Sequence, residues 1–590
     1  MTPLDWAHVF QIDPSARIQT QSITGENKMK DRTSLWLCIV VVVLVGLSVG
    51  LTGSVAAQSA DSVVAPDGSG DYTSIQSAVS DSADGDRIEV RPGTYEEDLY
   101  LSTNVTIIAP DGATIANTST IDDGTGVSWQ SPLDPQIVGF EFTDWRSAVN
   151  AGGPNARGNW EIRDSTIVGG SCAICAPGVE GDWTVANVTI QNAETPVSAY
   201  DSSGNWVIRD STFQQSGGIL AFESSGDWKI QNSAIHDATD NGINAGNSTG
   251  DWTLINSNIK DSSSDAFIGE NTAGEWTIRN TVIQDAEDVG IEIDGSSGNW
   301  LIENTTVEAV GDEGIDLADS SGQMHIRGST IRNTGQGEFN NAIRIEDSEG
   351  DWTIEDTHIE NISGEGIDAY QQPASSQATI ENLTVANTQN HGVNFYESNG
   401  DWKLIESQIS NSETKGVEAG ETTGNWSIAS TTIETTGENL IGASGVTGRW
   451  EIHNSKLTTG DEAIDATESV EGNASYNYWG AADGPSGKFN GSGLAAIGNL
   501  TVSPFYTDSG MTDTSSAIGE DANSPSSEVP ADLEESVSSE QYEAVLNGDD
   551  GLNAGNIAGA VNEWSANSEV NGVDIGAPEL SELINYWANN

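Results

Sequence analysis

Trp206-Val207-Ile208-Arg209-Asp210-Ser211-Thr212-Phe213 and Trp228-Lys229-Ile230-Gln231-Asn232-Ser233-Ala234-Ile235 are one phrase written twice. Outward from this pair, Trp heads the same phrase at positions 160, 183, 252, 276, 300, 352, 402, 426 and 450. Met324 and Ala378 fill the two remaining places, and the spacing is 22 to 28 residues, most often 24. An aliphatic residue follows two positions on, from Ile162 through to Ile452. Another large apolar residue sits seven on, as in Ile167, Phe213 and Ile283, and Asn or Asp usually sits four on, as in Asp164, Asn187 and Asn304. A fixed period of this length is the mark of a solenoid.

The spacing also selects the kind of solenoid. Trp and the aliphatic two on share one face of a strand by period-two alternation. The offset of five to the next apolar residue breaks that alternation, and the Asn or Asp stands in the break. These side chains tolerate left-handed backbone and bond to nearby amides, so the chain turns there. A third apolar point follows a small residue, as in Gly290-Ile291 and Gly314-Ile315. Each coil reads as strand, sharp turn, strand, longer turn, strand. The units are too short and too Gly-rich for helix pairs. Stacked, they make an all-β parallel β-helix with an aliphatic core, thirteen coils spanning roughly 60 Å. Right-handedness is the expectation for coils of this length.

The chain has 590 residues, with 90 Asp and Glu against 21 Lys and Arg, a net charge of −69. Nucleic acid and anionic membrane would be repelled. Disorder is excluded by 18 Trp, 65 Gly and apolar residues in register. The composition, with eight Lys, fits a folded protein with a solvating acidic surface suited to high salt. Cys38 lies in an apolar run, and Cys172 and Cys175 either form one small disulfide or stay reduced.

Four segments follow. Residues 1–57 hold an N-terminal extension and a secretory signal: Lys28, Lys30 and Arg32, then an apolar run over 35–49, then Ser54-Val55-Ala56-Ala57. Cleavage is expected near Ala57; an uncleaved run would serve as an anchor. Residues 62–507 form the β-helix. Residues 508–539, rich in Ser, Asp, Glu and Pro, read as a disordered linker. Residues 540–590 regain apolar spacing, through Leu546, Val561, Trp564, Leu580 and Trp587, suited to a small helical module. Thr73-Ser74-Ile75-Gln76 signals a short helix covering the first coil.

The opening Val64-Ala65-Pro66-Asp67-Gly68-Ser69-Gly70-Asp71-Tyr72-Thr73, with Val90-Arg91-Pro92-Gly93-Thr94-Tyr95, resembles that of pectin methylesterases and, more broadly, the pectate-lyase-like β-helix superfamily. The repeats resemble those of NosD-like and other secreted β-helix proteins of haloarchaea. Asn477-Tyr478-Trp479-Gly480 looks like the segment that closes such solenoids. The resemblance implies the fold over about 62–507 and, if the chain is an enzyme, a polysaccharide lyase or glycoside hydrolase. It does not extend to the esterase site: Asp265-Ala266-Phe267-Ile268-Gly269 echoes one motif but falls on the third strand of a coil, and no second motif follows. The C-terminal module resembles dockerin-like modules. Its loop offers Asn547, Asp549 and Asp550 to Ca²⁺, the one cofactor suggested, but Gly551 and Ala558 depart from the calcium pattern. A protein partner could dock there without metal.

Residues just after the third apolar point alternate outward. That column reads Asn244, Ile268, Glu292, Asp316, Arg344, Asp368, Asn394, Glu418, and two residues further lie Asp294, Ala318, Glu346, Tyr370 and Tyr396. Asp316, Arg344 and Asp368 are the catalytic candidates, and Glu292, Glu346, Tyr370, Asn394, Tyr396 and Glu418 the substrate-binding ones. Carboxylates could abstract a proton, Arg344 could pair a sugar carboxylate, and the tyrosines offer flat faces to sugar rings. The competing reading is a solvated acidic face with Arg344 as counter-charge. The Trp column shares parity with the aliphatic core, so internal stacking is expected of it rather than sugar binding. The outward arginines Arg163, Arg209, Arg279 and Arg327 read as surface charge balance. Asn-X-Ser/Thr occurs at Asn104, Asn117, Asn187, Asn247, Asn304, Asn361, Asn382, Asn425, Asn473, Asn490 and Asn499, candidate glycan sites of an exported protein. The expected function is that of a secreted or cell-surface protein binding, and in one version processing, a polysaccharide or surface glycan. The alternatives are a non-enzymatic adhesive surface glycoprotein and a NosD-like accessory protein.

Overall fold

The structure is a computed structural model. It describes residues 59–518 except 118–123, 130–131, 153–156, 336–339 and 436, together with 541, 560–561, 569–570, 573–575, 580–581 and 583–584.

Each repeat closes into one coil. The Trp residue and the aliphatic two on face inward on one strand, as in Trp206–Arg209, and the second strand, such as Thr212–Gln214, follows after a single bend. Both join a 31-stranded parallel sheet, in which Trp183 pairs Trp206 and Trp206 pairs Trp228. The third strand is two residues long in most coils, as at Ile315–Asp316, and builds a second parallel ladder beginning at Leu99–Tyr100. Ile162, Ile208, Ile278, Ile302, Ile354 and Ile452 form the expected stack, each at 0–1% exposure.

The sharp bend is left-handed backbone, as the Asn and Asp spacing predicts. Asp164, Asn187, Asp210, Asn232, Asn256, Asn280 and Asn304 have φ between 50° and 55°. Their side chains bond from coil to coil, with Asn187 Nδ2 donating to Asp164 Oδ1 at 2.8 Å and Asn280 Nδ2 to Asn256 Oδ1 at 3.1 Å. A second left-handed column, through Asn333, Asn361, Asn387 and Asn411, marks the corner before the short strand. A third, through Asn271, Asp319 and Asp347, follows it. These two columns lie in stretches without apolar alternation, where the spacing alone did not single them out. Among the candidate glycan sites, Asn187, Asn304, Asn361, Asn382 and Asn425 donate their amide nitrogens to the neighbouring coil.

The tryptophans stack inside the coil corner. Trp160 to Trp252 lie 4.7–5.0 Å apart, centroid to centroid, with planes within 7°. The stack breaks at Trp276, which stands at 78° to Trp252 where Phe267 enters from the short strand. The outward arginines are half-exposed and paired, with Arg327 reaching Glu303 at 2.6 Å. Cys172 and Cys175 are joined as a disulfide beside a short strand.

Helix Ile75–Asp81 covers the first coil with Ile75, Ala78 and Val79. Ser74 caps it by accepting from Ser77 N at 3.1 Å. The reciprocal carboxylate comes from outside the motif: Glu97 accepts from Ile75 N at 2.7 Å and Gln76 N at 3.1 Å. At the other end the expected linker starts late, because Thr514–Ser515 turns back and pairs antiparallel with Phe505–Tyr506. The rest of the linker falls outside the described residues, as do the N-terminal segment and Asn547, Asp549 and Asp550. A small helical C-terminal domain is not evident. The described residues there include short helical pieces at 560–561, 580–581 and 583–584 and an antiparallel pair, Glu569–Val570 with Val573–Asp574. Among the described residues no helix is long and apolar enough to cross a membrane.

Candidate functional site

The short-strand ladder sets the predicted column in register. Glu292 pairs with Asp316, Asp316 with Arg344, Arg344 with Asp368, Asp368 with Asn394, and Asn394 with Glu418. In each strand the aliphatic residue points into the core and this one points away, so chemistry of one coil stands about 4.8 Å from that of the next.

Two clusters result. In the first, Arg344 Nη1 donates to Asp316 Oδ2 at 3.1 Å, while its Nη2 and Nε donate to Glu346 Oε2 at 2.7 and 3.1 Å. Asp316 Oδ1 is also engaged, accepting from Ala318 N at 3.0 Å. Burial pushes the Asp316 carboxyl up, opposed by Arg344. Glu292 is pushed up to about 8, first by burial and then by Asp265, Glu270 and Asp316.

The second cluster centres on a residue outside the predicted set. Glu365 is 7% exposed and lies against Asp368. Burial, then the Asp368 charge, push it up to about 9, so it carries a proton at neutral pH. Asn394 Nδ2 bridges the pair, reaching Glu365 Oε2 and Asp368 Oδ1 at 3.1 Å each. Asn341 Nδ2 donates to Asp368 Oδ2 at 3.1 Å and Asn390 Nδ2 to Glu365 Oε1 at 3.0 Å. His391 is held neutral, pushed down to about 4 by burial and then Lys415. Its Nδ1 lies 2.8 Å from Thr414 Oγ1. Glu418 takes Lys415 Nζ and the backbone N–H of Gly420.

Tyr370 and Tyr396 lie beside this cluster as a stacked pair, ring centroids 6.1 Å apart and planes 3° from parallel. The Tyr370 hydroxyl donates to Glu397 Oε2 at 3.2 Å. The structure therefore brings the predicted residues together as two hydrogen-bonded groups, Asp316–Arg344–Glu346 and Asp368–Asn394–Tyr370–Tyr396, with Glu292 beside the first in strand register and Glu418 at the far end.

The missed residues share one repeat position, three before the outward column: Asp265, Glu313, Asn341, Glu365, His391 and Lys415. They precede the small Gly or Ala at the corner, where alternation gives no facing. The signal available was the run of polar residues at one register. Glu313 belongs to it too, pushed up to about 7 by burial and then Asp312. Among the described residues no group of three His, Cys, Asp or Glu side chains is arranged to hold a metal ion.

A family model described as a right-handed beta helix region matches residues 153–267 and 217–374. No curated protein matches the chain. Among solved structures, the catalytic unit of a GH87 alpha-1,3-glucanase from Streptomyces thermodiastaticus strain HF3-3 aligns at 12% identity and a TM-score of 0.29, over 67% of this chain and 65% of that one. The periplasmic alginate epimerase AlgG aligns at 11% and 0.25, over 66% and 80%. Tailspike protein 3 of bacteriophage CBA120 aligns at 12% and 0.26, over 67% and 57%. The chain thus spans about two thirds of the glucanase unit and less of the tailspike. From its own strand register and the family match, the chain is a right-handed parallel β-solenoid.

Proposed function

We propose that this chain is an exported cell-surface protein that binds a polysaccharide along the outward face of the short-strand ladder. The observation that carries the reading is the pair of parallel, stacked tyrosine rings beside the protonated Glu365 and its neighbour Asp368. Flat aromatic faces take sugar C–H groups, and carboxyl and amide groups take sugar hydroxyls. The glycan is neutral. Arg344, the cation expected to recognise a sugar acid, is already committed to Asp316 and Glu346, and the surrounding charge is negative. Processing of a bound chain would draw on Glu365, a carboxyl that can donate a proton near neutral pH.

One observation favours a purely structural role. Asp316, Asp368, Asn394 and Glu418 each tie one side-chain oxygen to the backbone N–H two residues on. The two readings separate in a titration of neutral and uronate-containing oligosaccharides against wild type, Tyr370→Ala and Tyr396→Ala at molar salt. The expected result is binding of a neutral oligosaccharide that each substitution weakens about tenfold, or ~1.4 kcal/mol. No binding, or equal affinities in all three proteins, would return the face to a scaffold role.

A further inference from the structure

Eleven Asn-X-Ser/Thr triplets each offer an amide and, two residues on, a hydroxyl, the pattern that N-glycosylation reads. The fold sorts them. Asn187, Asn304, Asn361, Asn382 and Asn425 use their amide nitrogens to join coils, with acceptors in the neighbouring coil 2.6–3.3 Å away. A sugar on such a nitrogen would open the bond between two coils. Asn117 and Asn499 donate to the carbonyls of Asp144 and Ser469.

Three of the remaining triplets are engaged in other ways. The Asn104 side chain is half-buried, and its Oδ1 accepts from Asp134 N at 2.7 Å. At Asn473 and Asn490 the hydroxyl is taken: Ser475 Oγ turns back to Asn473 Oδ1 at 2.7 Å, and Ser492 Oγ donates to Asp483 Oδ1 at 2.7 Å. The last is Asn247-Ser248-Thr249. Both Asn247 and Thr249 are exposed, and among the described residues nothing hydrogen-bonds to either side chain. The residue between them explains the presentation. Ser248 is 1% exposed, and its Oγ donates to Ala221 O at 2.9 Å and accepts from Ser224 N at 3.2 Å. Those bonds pin the backbone at Ser248 and leave its two neighbours facing solvent.

We infer that Asn247 alone carries an N-linked glycan on this chain and that the triplets engaged between coils stay bare. The inference rests on the export proposed above, because the sugar donor, a lipid-phosphate-linked oligosaccharide, and its transferase belong to a membrane. In the transfer, Asn247 Nδ2 bonds to the anomeric carbon of the donor. The bond from that carbon to the phosphate oxygen breaks, the lipid phosphate leaves with the electron pair, and the amide gives one proton to a base of the transferase. The attachment point also suits a binding protein. Asn247 stands on the left-handed corner column that runs through Asn271, Gly295, Asp319 and Asp347 to Gln371. Five coil rises, roughly 24 Å, separate it from the neighbourhood of Tyr370, so the sugar is rooted away from the tyrosine face.

Mass spectrometry of the protein isolated from its own cells and digested with trypsin tests this. The peptide from Ile230 to Lys260 holds Asn247 as its one Asn-X-Ser/Thr triplet, and it is expected to carry glycan mass. Peptides holding Asn187, Asn304, Asn361, Asn382 and Asn425 are expected bare. Asn247→Gln and Thr249→Ala, each expressed in the same cells, should remove the whole glycan from the intact mass, and Thr249→Ser should keep it. These positions are exposed, and circular dichroism checks that each variant folds. Exported protein whose 230–260 peptide is unmodified, or glycan on any other triplet, would overturn the inference and leave export standing. Protein found only inside the cell, and bare, would overturn the export reading together with it.

Discussion

Trp228→Ala is expected to destabilise the solenoid by about 3–5 kcal/mol, the range for emptying a buried aromatic site. Trp228 is 3% exposed and lies between Trp206 at 4.7 Å and Trp252 at 4.8 Å, with planes 2° and 5° apart. Losing it removes two stacking contacts as well as burial, each worth roughly 0.5–1.5 kcal/mol beyond area. The neighbouring indoles cannot collapse into the space, because their strands are pinned by parallel pairing on both sides. A solenoid is stabilised mainly between neighbours, so the effect is local first. Amides of the strands at 206–209 and 252–255 should exchange fastest, and the thermal midpoint should fall. An unchanged midpoint with undisturbed exchange in those coils would show that the column is not part of the packing.

Glu365→Gln is expected to make the protein more stable at alkaline pH, an unusual direction for removing a charged residue type. The folded-state value of Glu365 is about 9, above the ordinary 4.5. Between these values the folded chain holds a proton that the unfolded chain has released. Stability from this group is therefore fully present below about 4.5, falls as pH rises through the window, and levels off above about 9. The slope for one such group is ~1.4 kcal/mol per pH unit. Gln does not titrate, and its amide can donate to Asp368 as the protonated carboxyl does. Denaturant unfolding from pH 5 to 9 should show a flatter curve for the variant and a gain on the order of a few kcal/mol at pH 9. Parallel curves for the two proteins would mean that Glu365 is not held protonated.

The fold was legible because one constraint recurs in every coil. Trp at the head, an aliphatic two on and Asn or Asp four on define facing and turning, and the observed pairing of Trp183 with Trp206 keeps that register. The outward column was legible for the same reason, since period-two alternation after Ile315 or Ile343 leaves Asp316 and Arg344 only one side to face. What alternation could not show is depth and partnership. Asp316, Asn394 and Glu418 point outward yet are buried, because neighbouring side chains crowd over them: Arg344 on Asp316, and the corner residues Glu365 on Asn394 and Lys415 on Glu418. Likewise, opposite charges at Asp316 and Arg344 suggested a pair, but only side-chain geometry shows Glu346 occupying the remaining guanidinium face. The apolar offsets of the C-terminal module suit a short helix and a strand pair alike, and its described residues include both.

The left-handed asparagine corner carries one more consequence. From Trp to the second apolar residue the offset is always seven, whereas the coil from Met324 to Trp352 is four residues longer than the commonest 24. The additional length falls between Arg332 and Ile343, while the shorter surplus before Ala378 follows Asp368. Indels thus collect at the two corners flanking the short strand, and the ladder corner rejects them because a lost rung would slip every side chain above it. Foreign loops grafted beside Arg344 or Asp368 should be accommodated without moving the core, and a lineage of such proteins can change its walls there while inheriting the same spine.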